Sequence, residues 1–404
     1  MKNRKYLFTL LTIIVFVSSL SFLHVIPTKA AWDKTSKKED EQIIVKFNKE
    51  VSTIEKSNLY RQKNTKVISR NTQLGFDVIQ VQGQSIQQAL QEYRQLPGID
   101  YVEPSKVYRA VWTPNDCYYS SNQNASLQKM QIPKAWDITR GSTDTVVAVV
   151  DSGVQSTHPD LKGKVISGYD YVQNNTDPSK DELGHGTHIA GTIAAVTDNE
   201  IGIAGIAPNV KILSVRVLDR NGYSYNDVIA NGITYAADHG AKVINLSIAM
   251  QDPSQVLEDA VNYAWDKGVV LVAGAGNAST SQPYYPAAYS NVISVAATDS
   301  NDAKWDRSNY GISVDVSAPG VDIMSTVPTN WNLETPYSTK SGTSMATANV
   351  SGVVALLASQ GFSNIQIRDA IEKSADKIPG TGEYWKHGRV NAYKALTNVY
   401  FDLK

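Results

Sequence analysis

The chain has a single cysteine, Cys117, among 404 residues, so no disulfide can form within it. Its stability has to come from a packed core or from bound ions. It also has no excess of either charge: 38 Lys/Arg face 39 Asp/Glu, a net −1. The basic residues are neither abundant nor clustered, so there is no electrostatic footprint for nucleic acid, and none is expected as a partner. His185 and His188 are three apart, but no Glu or third histidine joins them, which argues against a zinc site. Internal repeats and low-complexity segments are missing. So are long apolar runs, except for one between Tyr6 and Ile26.

That run follows a basic start, Met1-Lys2-Asn3-Arg4-Lys5, and precedes a small-residue site, Thr28-Lys29-Ala30. The three features describe a secretory signal peptide over residues 1–30, with an uncleaved anchor as the alternative. The expected location is extracellular, with no membrane partner after cleavage. Residues 31–111 read as a separate small unit. Gln42–Phe47 and Gly75–Val81 alternate as strands, Ile86–Leu96 has helical spacing, and Gly98–Pro104 closes the unit with a strand, a β-α-β pattern. Residues 112–404 are long enough for one large domain. They carry 21 Lys/Arg against 29 Asp/Glu, an acidic balance compatible with calcium. Strands at Lys211–Val217, Ala241–Leu246 and Val292–Ala296 alternate with helices at Tyr225–His239 and Pro253–Lys267. Such alternation predicts an α/β fold, a parallel sheet with helices on both faces.

Three segments carry chemistry. Val146-Val147-Ala148-Val149-Val150 is apolar throughout, as in a strand buried on both faces, and Asp151 falls at its carboxyl end. That aspartate is either a turn residue or part of a site. Gly184-His185-Gly186-Thr187-His188 opens a helix rich in small residues, with His185 at its mouth and His188 read as structural. Ser341-Gly342-Thr343-Ser344-Met345 precedes the apolar run Val350–Leu357, placing Ser344 at a buried helix N-terminus. There a serine is either an N-cap or a nucleophile favoured by the helix dipole.

Taken together, the order is Asp151, His185, Ser344. It differs from the Ser-Asp-His order of α/β-hydrolases and the His-Asp-Ser order of chymotrypsin-like enzymes. From Trp112 onward the chain resembles the subtilisin-like serine proteases, and within them the thermitase group. The resemblance implies a three-layer subtilisin-like fold and a peptidase acting on protein or peptide substrates. By that likeness Ser344 is the nucleophile, His185 the base, Asp151 its orienting partner, and Asn277, at the end of the buried strand Val269–Asn277, the oxyanion donor. Substrate would lie extended between segments containing Gly222 and Ser224 on one side and Ser247 and Ala249 on the other. Gly274 and Gly276 would wall the first pocket. The likeness also implies calcium held by Asp116, Asp160 and Asn199 with the carbonyls of Val196, Ile201 and Ile203, six oxygens suited to that ion. A second calcium site would fall at Asp170–Asp177, where Gln173 and Asn175 replace carboxylates. The small N-terminal unit looks like the family's inhibitor propeptide, its tail Tyr108–Val111 in the cleft after self-cleavage. A monomer is expected.

The chain departs from the family at several places. Ala348 and Asn349 stand where Pro-His is usual, and Arg307 replaces a phenylalanine. Ser224, Ala249 and Met250 stand where glycines let a peptide backbone approach. These departures leave open a second reading, a non-catalytic or weakly active secreted binding protein on a protease scaffold.

Overall fold

A computed structural model describes residues 42–106, 112–331 and 333–398. The signal peptide and the Tyr108–Val111 junction lie outside the described residues. The chain divides into two compact units, 1–110 and 111–404.

The first unit contains β1 (Gln42–Phe47), α1 (Thr53–Gln62), β2 (Lys66–Asn71), β3 (Phe76–Gln80), α2 (Ile86–Arg94) and β4 (Ile99–Pro104). The sheet is antiparallel, in the order β2-β3-β1-β4. Alternation in β1 sends Ile43, Val45 and Phe47 inward to meet Ile79, Leu90, Tyr93 and Val102. The β-α-β expectation missed α1 and β2, for a physical reason. In α1 only Tyr60 is buried, and the helix start rests on a capping box between Ser52 and Glu55. β2 buries no side chain, so it shows no alternation to read.

In the second unit an eight-stranded sheet runs in the order β14-β11-β10-β9-β8-β5-β7-β6. Its strands are β5 (Val146–Asp151), β6 (Val165–Asp170), β7 (Lys211–Arg216), β8 (Ala241–Leu246), β9 (Val270–Gly274), β10 (Val292–Thr298) and β11 (Val316–Pro319). A separate antiparallel hairpin, β12 (Ile323–Thr326) and β13 (Tyr337–Lys340), precedes the short β14 (Gly388–Arg389). Every neighbouring pair in the large sheet is parallel. The helices are α3 (Asn124–Lys129), α4 (Ile132–Trp136), α5 (His185–Ala194), α6 (Asn226–Asp238), α7 (Gln255–Asp266), α8 (Thr343–Ala358), α9 (Asn364–Ser374) and α10 (Ala392–Asn398).

Residues of β5 face alternately to two cores. Val147 and Val149 join Ile189, Ile193, Val350 and Val353 of α5 and α8. Ala148 and Val150 join Ile229, Ile233, Leu257 and Val261 of α6 and α7. Full burial of one such aliphatic side chain contributes about 1.5–3 kcal/mol, so the strand's position is strongly specified. That fixes Asp151 at the carboxyl edge of the sheet. The small residues of α5 also act as the sequence suggests. A Cβ on Gly186 would lie 2.1 Å from the Gly153 carbonyl, and one on Gly191 would lie 2.2 Å from Thr326 Oγ1.

One ion pair is deeply buried. Arg216, at the end of β7, places Nη1 3.0 Å from Asp170 Oδ2, with both side chains essentially inaccessible. Its Nη2 reaches Glu182 Oε2, also at 3.0 Å. Arg216→Met would strand the Asp170 charge, and removal of one partner of a buried pair costs about 3–5 kcal/mol. A clear fall in the thermal unfolding midpoint is expected, and an unchanged midpoint would show that the pair contributes nothing.

Candidate active site

Asp151 ends β5 and is fully buried. Its Oδ1 accepts the Ser152 backbone N–H at 2.7 Å. His185, the first residue of α5, brings Nδ1 to 2.8 Å from Oδ1 and 2.9 Å from Oδ2. A carboxylate only accepts, so Nδ1 carries the proton and Nε2 is left with a free lone pair. Burial disfavours the imidazolium, but the charge and hydrogen bond of Asp151 outweigh it. With Lys340 opposing and Asp181 reinforcing, the net pKa is raised. His188, one turn on, is structural: its Nε2 bonds the carbonyls of Ile323 and Ser338 at 3.1 and 3.2 Å. Burial pushes it down to about 3.

Ser344 is the second residue of α8, and Gly342, with no side-chain cap bond, holds the N-cap position. The capping role is therefore vacant and the hydroxyl is half-exposed. In the structure Ser344 Oγ donates to the Ser247 carbonyl at 3.4 Å, while Ser247 Oγ donates to the Ser344 carbonyl at 3.2 Å. Asn277 lies just past β9, after Gly276 with φ +106°. Its Oδ1 accepts from Thr343 N at 3.0 Å and from Thr343 Oγ1 at 2.9 Å. The amide is thereby oriented, and Nδ2 is the end left to donate elsewhere.

Three supporting residues escaped the sequence reading. Buried Asp181 accepts from Ser152 Oγ, Gly184 N, Thr187 N and Thr187 Oγ1 at 2.6–2.9 Å, tying the end of β5 to the start of α5. Its place four residues before His185, ahead of a helix, was the available signal. Asn309 accepts from Ala278 N and Thr280 N and donates to the Ala275 carbonyl, clamping the loop that carries Asn277. No local pattern marks it. Thr343 was quoted only as part of a turn, yet it orients Asn277.

Both units of the chain are similar to known proteins. The subtilase family model matches residues 142–394, and the fervidolysin N-terminal prodomain model matches residues 29–105. Thermitase of Thermoactinomyces vulgaris is 58% identical over 285 residues, 70% of this chain and 99% of that one. The chain belongs to the subtilase family. A thermophilic serine proteinase of Bacillus sp. (strain AK1) is 48% identical over 358 residues, 88% of this chain and 87% of its own length. Fervidolysin from Fervidobacterium pennivorans, a keratinolytic enzyme related to subtilisin, aligns with a TM-score of 0.64 at 32% identity, covering 88% of this chain and 61% of that one. This subtilase is thus a subtilisin-like serine proteinase, and its N-terminal unit is a prodomain.

The cleft of this subtilase differs from what a glycine-lined one would present. Gly222 turns at φ +81°, and Ser224 is half-buried between Tyr223 and Tyr225, each about three-quarters exposed. Ser247 is held by Asn245 Nδ2 as well as by Ser344. Ala249 is exposed, and Met250 has both backbone groups bonded to Tyr285, at 2.9 and 2.7 Å. The Met250 side chain is exposed. Gly274 and Gly276 are buried; a Cβ on Gly276 would lie 2.5 Å from Asn309 Nδ2. Ala348 continues α8 without interruption, and Asn349 donates to the Pro319 carbonyl at 2.7 Å. Arg307 lies over the Trp305 ring at 5.7 Å.

Of the residues expected at the first calcium site, Asp160, Val196, Asn199, Ile201 and Ile203 are joined by hydrogen bonds. Asp160 is fully buried, its Oδ2 accepting from Ile203 N and its Oδ1 from Asn199 Nδ2. Val196 N donates to the Asp160 carbonyl, and Ile201 N to Asn199 Oδ1. Asp116 Oδ2 accepts from Asp198 N, but its buried Oδ1 has no partner. Burial pushes the Asp160 carboxyl up to about 6, against the Ile203 and Asn199 hydrogen bonds and helped by the Asp116 charge. At the second site, Asp170 Oδ1 accepts from Val172 N and Gln173 N, while Oδ2 is paired with Arg216. The guanidinium supplies the positive charge there, and Asp177 bonds Ser179 N instead.

Thr343→Val keeps the shape but removes the hydroxyl that orients Asn277. Loss of that hydrogen bond, worth about 1–1.5 kcal/mol, corresponds to roughly a tenfold fall in kcat with KM little changed. Steady-state kinetics on a peptide nitroanilide read this, and a change in KM alone would assign Thr343 to binding.

Proposed function

We propose that this subtilase is a secreted, calcium-stabilised serine endopeptidase made as a self-processing precursor. The two-point contact of His185 Nδ1 with Asp151 carries the reading, because it leaves Nε2 as a proton acceptor. Ser344 Oγ attacks the scissile carbonyl carbon as Nε2 takes its proton, and Asp151 stabilises the imidazolium. Asn277 Nδ2 and the Ser344 N–H donate to the oxyanion, at the positive end of α8. Collapse breaks the C–N bond, the amine leaves with the proton from Nε2, and water then releases the acyl group by the same steps in reverse. In the reaction Ser344 must turn its hydroxyl from the Ser247 carbonyl toward Nε2. Secretion is supported by the basic start and apolar run of residues 1–26.

Asp116, Asp160, Asn199 and the carbonyls of Val196, Ile201 and Ile203 would hold the calcium. The unpartnered buried Asp116 Oδ1 beside a second carboxylate fits a hard cation. When bound, the ion neutralises both charges and ties residues 196–203 to the N-terminal segment. The exposed Met250 thioether favours a competing reading, a binding protein with a filled cleft.

Two experiments separate these readings. Ser344→Ala is expected to leave the precursor uncut and to abolish labelling by a fluorophosphonate; normal processing in that variant would sink the peptidase reading. Chelating calcium is expected to lower the thermal midpoint of the wild type and to have little further effect on Asp116→Ala. Equal sensitivity in the two proteins would place the stabilising ion elsewhere.

A further inference from the structure

His185 lies among charges of both signs. Asp151 comes from the end of β5, Asp181 from the loop before α5, neutral His188 from α5 itself, and Lys340 from the end of β13. Lys340 Nζ donates to the carbonyl of Gly184, the residue preceding His185, at 3.4 Å. The Trp331 indole covers the ammonium, with Nζ 5.4 Å from the ring centroid. The same indole packs on Gly184, where an added Cβ would lie 2.3 Å from it. A carbonyl and a ring face orient this ammonium without neutralising it. Charges shielded from water act over longer distances than exposed ones.

Two carboxylates beside one imidazole would both favour the imidazolium, and an imidazolium cannot accept the Ser344 proton. A general base works best with its pKa near the operating pH. We propose that Lys340 is a positioning residue that offsets the second carboxylate, Asp181, and so makes His185 take up a proton less readily than the two carboxylates alone would. The role rests on the peptidase reading above. Burial draws the Lys340 pKa down while Asp181 and Asp151 hold it up, the pattern of an ammonium serving as counter-charge to both. The Coulomb effect of Lys340 on His185 runs opposite to that of the carboxylates. Trp331 is part of the device, because it keeps water from screening the charge.

The test compares wild type, Lys340→Met and Lys340→Arg in kcat/KM against pH, on an uncharged peptide substrate. The sign follows from the charge: without the ammonium the imidazolium is easier to form, so the acid limb moves to higher pH. At the pH where wild type runs at half its plateau, Lys340→Met is expected to run at about a third of its own plateau or less. Lys340→Arg is expected to follow wild type. Superimposed limbs for wild type and Lys340→Met would overturn the proposal. A second arm follows the His185 ring proton by NMR in Ser344→Ala, with and without Lys340→Gln. That titration requires no turnover, so it reads Lys340 even if the peptidase reading fails. An unshifted midpoint there overturns the proposal independently.

Discussion

Burial of α8 is the constraint on which the site depends. Every residue from Met345 to Leu357 is inaccessible, so the helix has no solvent side along which it could slide or rotate. Its polar residues are each satisfied from a different direction. Asn349 bonds the Pro319 carbonyl, Ser351 bonds Asn245 Oδ1, and Thr347 bonds the Thr343 carbonyl one turn back. Buried polar groups are costly when unpaired, so each bond penalises displacement. The helix N-terminus is thus located by the core, and Ser344 with it. The Thr343 hydroxyl carries that placement across to β9 by accepting from Gly276 N and donating to Asn277. One buried helix positions both the nucleophile and the oxyanion donor.

The other half of the site is held by charge and hydrogen bonds. Asp181 joins Ser152, next to Asp151, to Gly184 and Thr187, which flank His185. The imidazole therefore meets its partner from a fixed base. The cost is a second buried negative charge, which burial alone pushes toward neutrality. The N-terminus of α5 and the Lys340 ammonium both compensate it. The hairpin β12–β13 is in this sense part of the site, although none of its residues reaches the reacting atoms.

What the sequence revealed follows the strength of its physical signals. β5 and β9 are runs of small and aliphatic residues buried on both faces, β8 departs from that only at Lys242 and Asn245, and the starts of all three were legible to within a residue. The order of Asp151, His185 and Ser344 along the chain pointed to the family, because few folds share that order. α1 was not legible, since it buries only Tyr60 and depends on a local capping box. Nor were the roles of Asn309 and Lys340, whose contacts with the loop of Asn277 and with Gly184 join residues far apart in sequence. The Asp170–Arg216 pair shows the limit most clearly. Asp170 looked like a cation ligand from its neighbours, but its counter-charge comes from β7, far away in sequence.

The departures from the family pattern look different once their partners are known. A proline and an imidazole behind the nucleophile have been replaced by Ala348 and Asn349. The replacement leaves no void and no orphaned group: Ala348 is packed, and the Asn349 amide meets the Pro319 carbonyl at 2.7 Å. A decaying active site would be expected to accumulate unpaired polar atoms at such positions. Instead, both Asp151–His185 contacts and both Thr343–Asn277 contacts are intact around them. The remaining departures, Ser224, Ala249 and Met250, stand at exposed or half-buried positions outside these four contacts. Loss of function needs the frame to loosen, whereas altered specificity needs only the cleft walls to change.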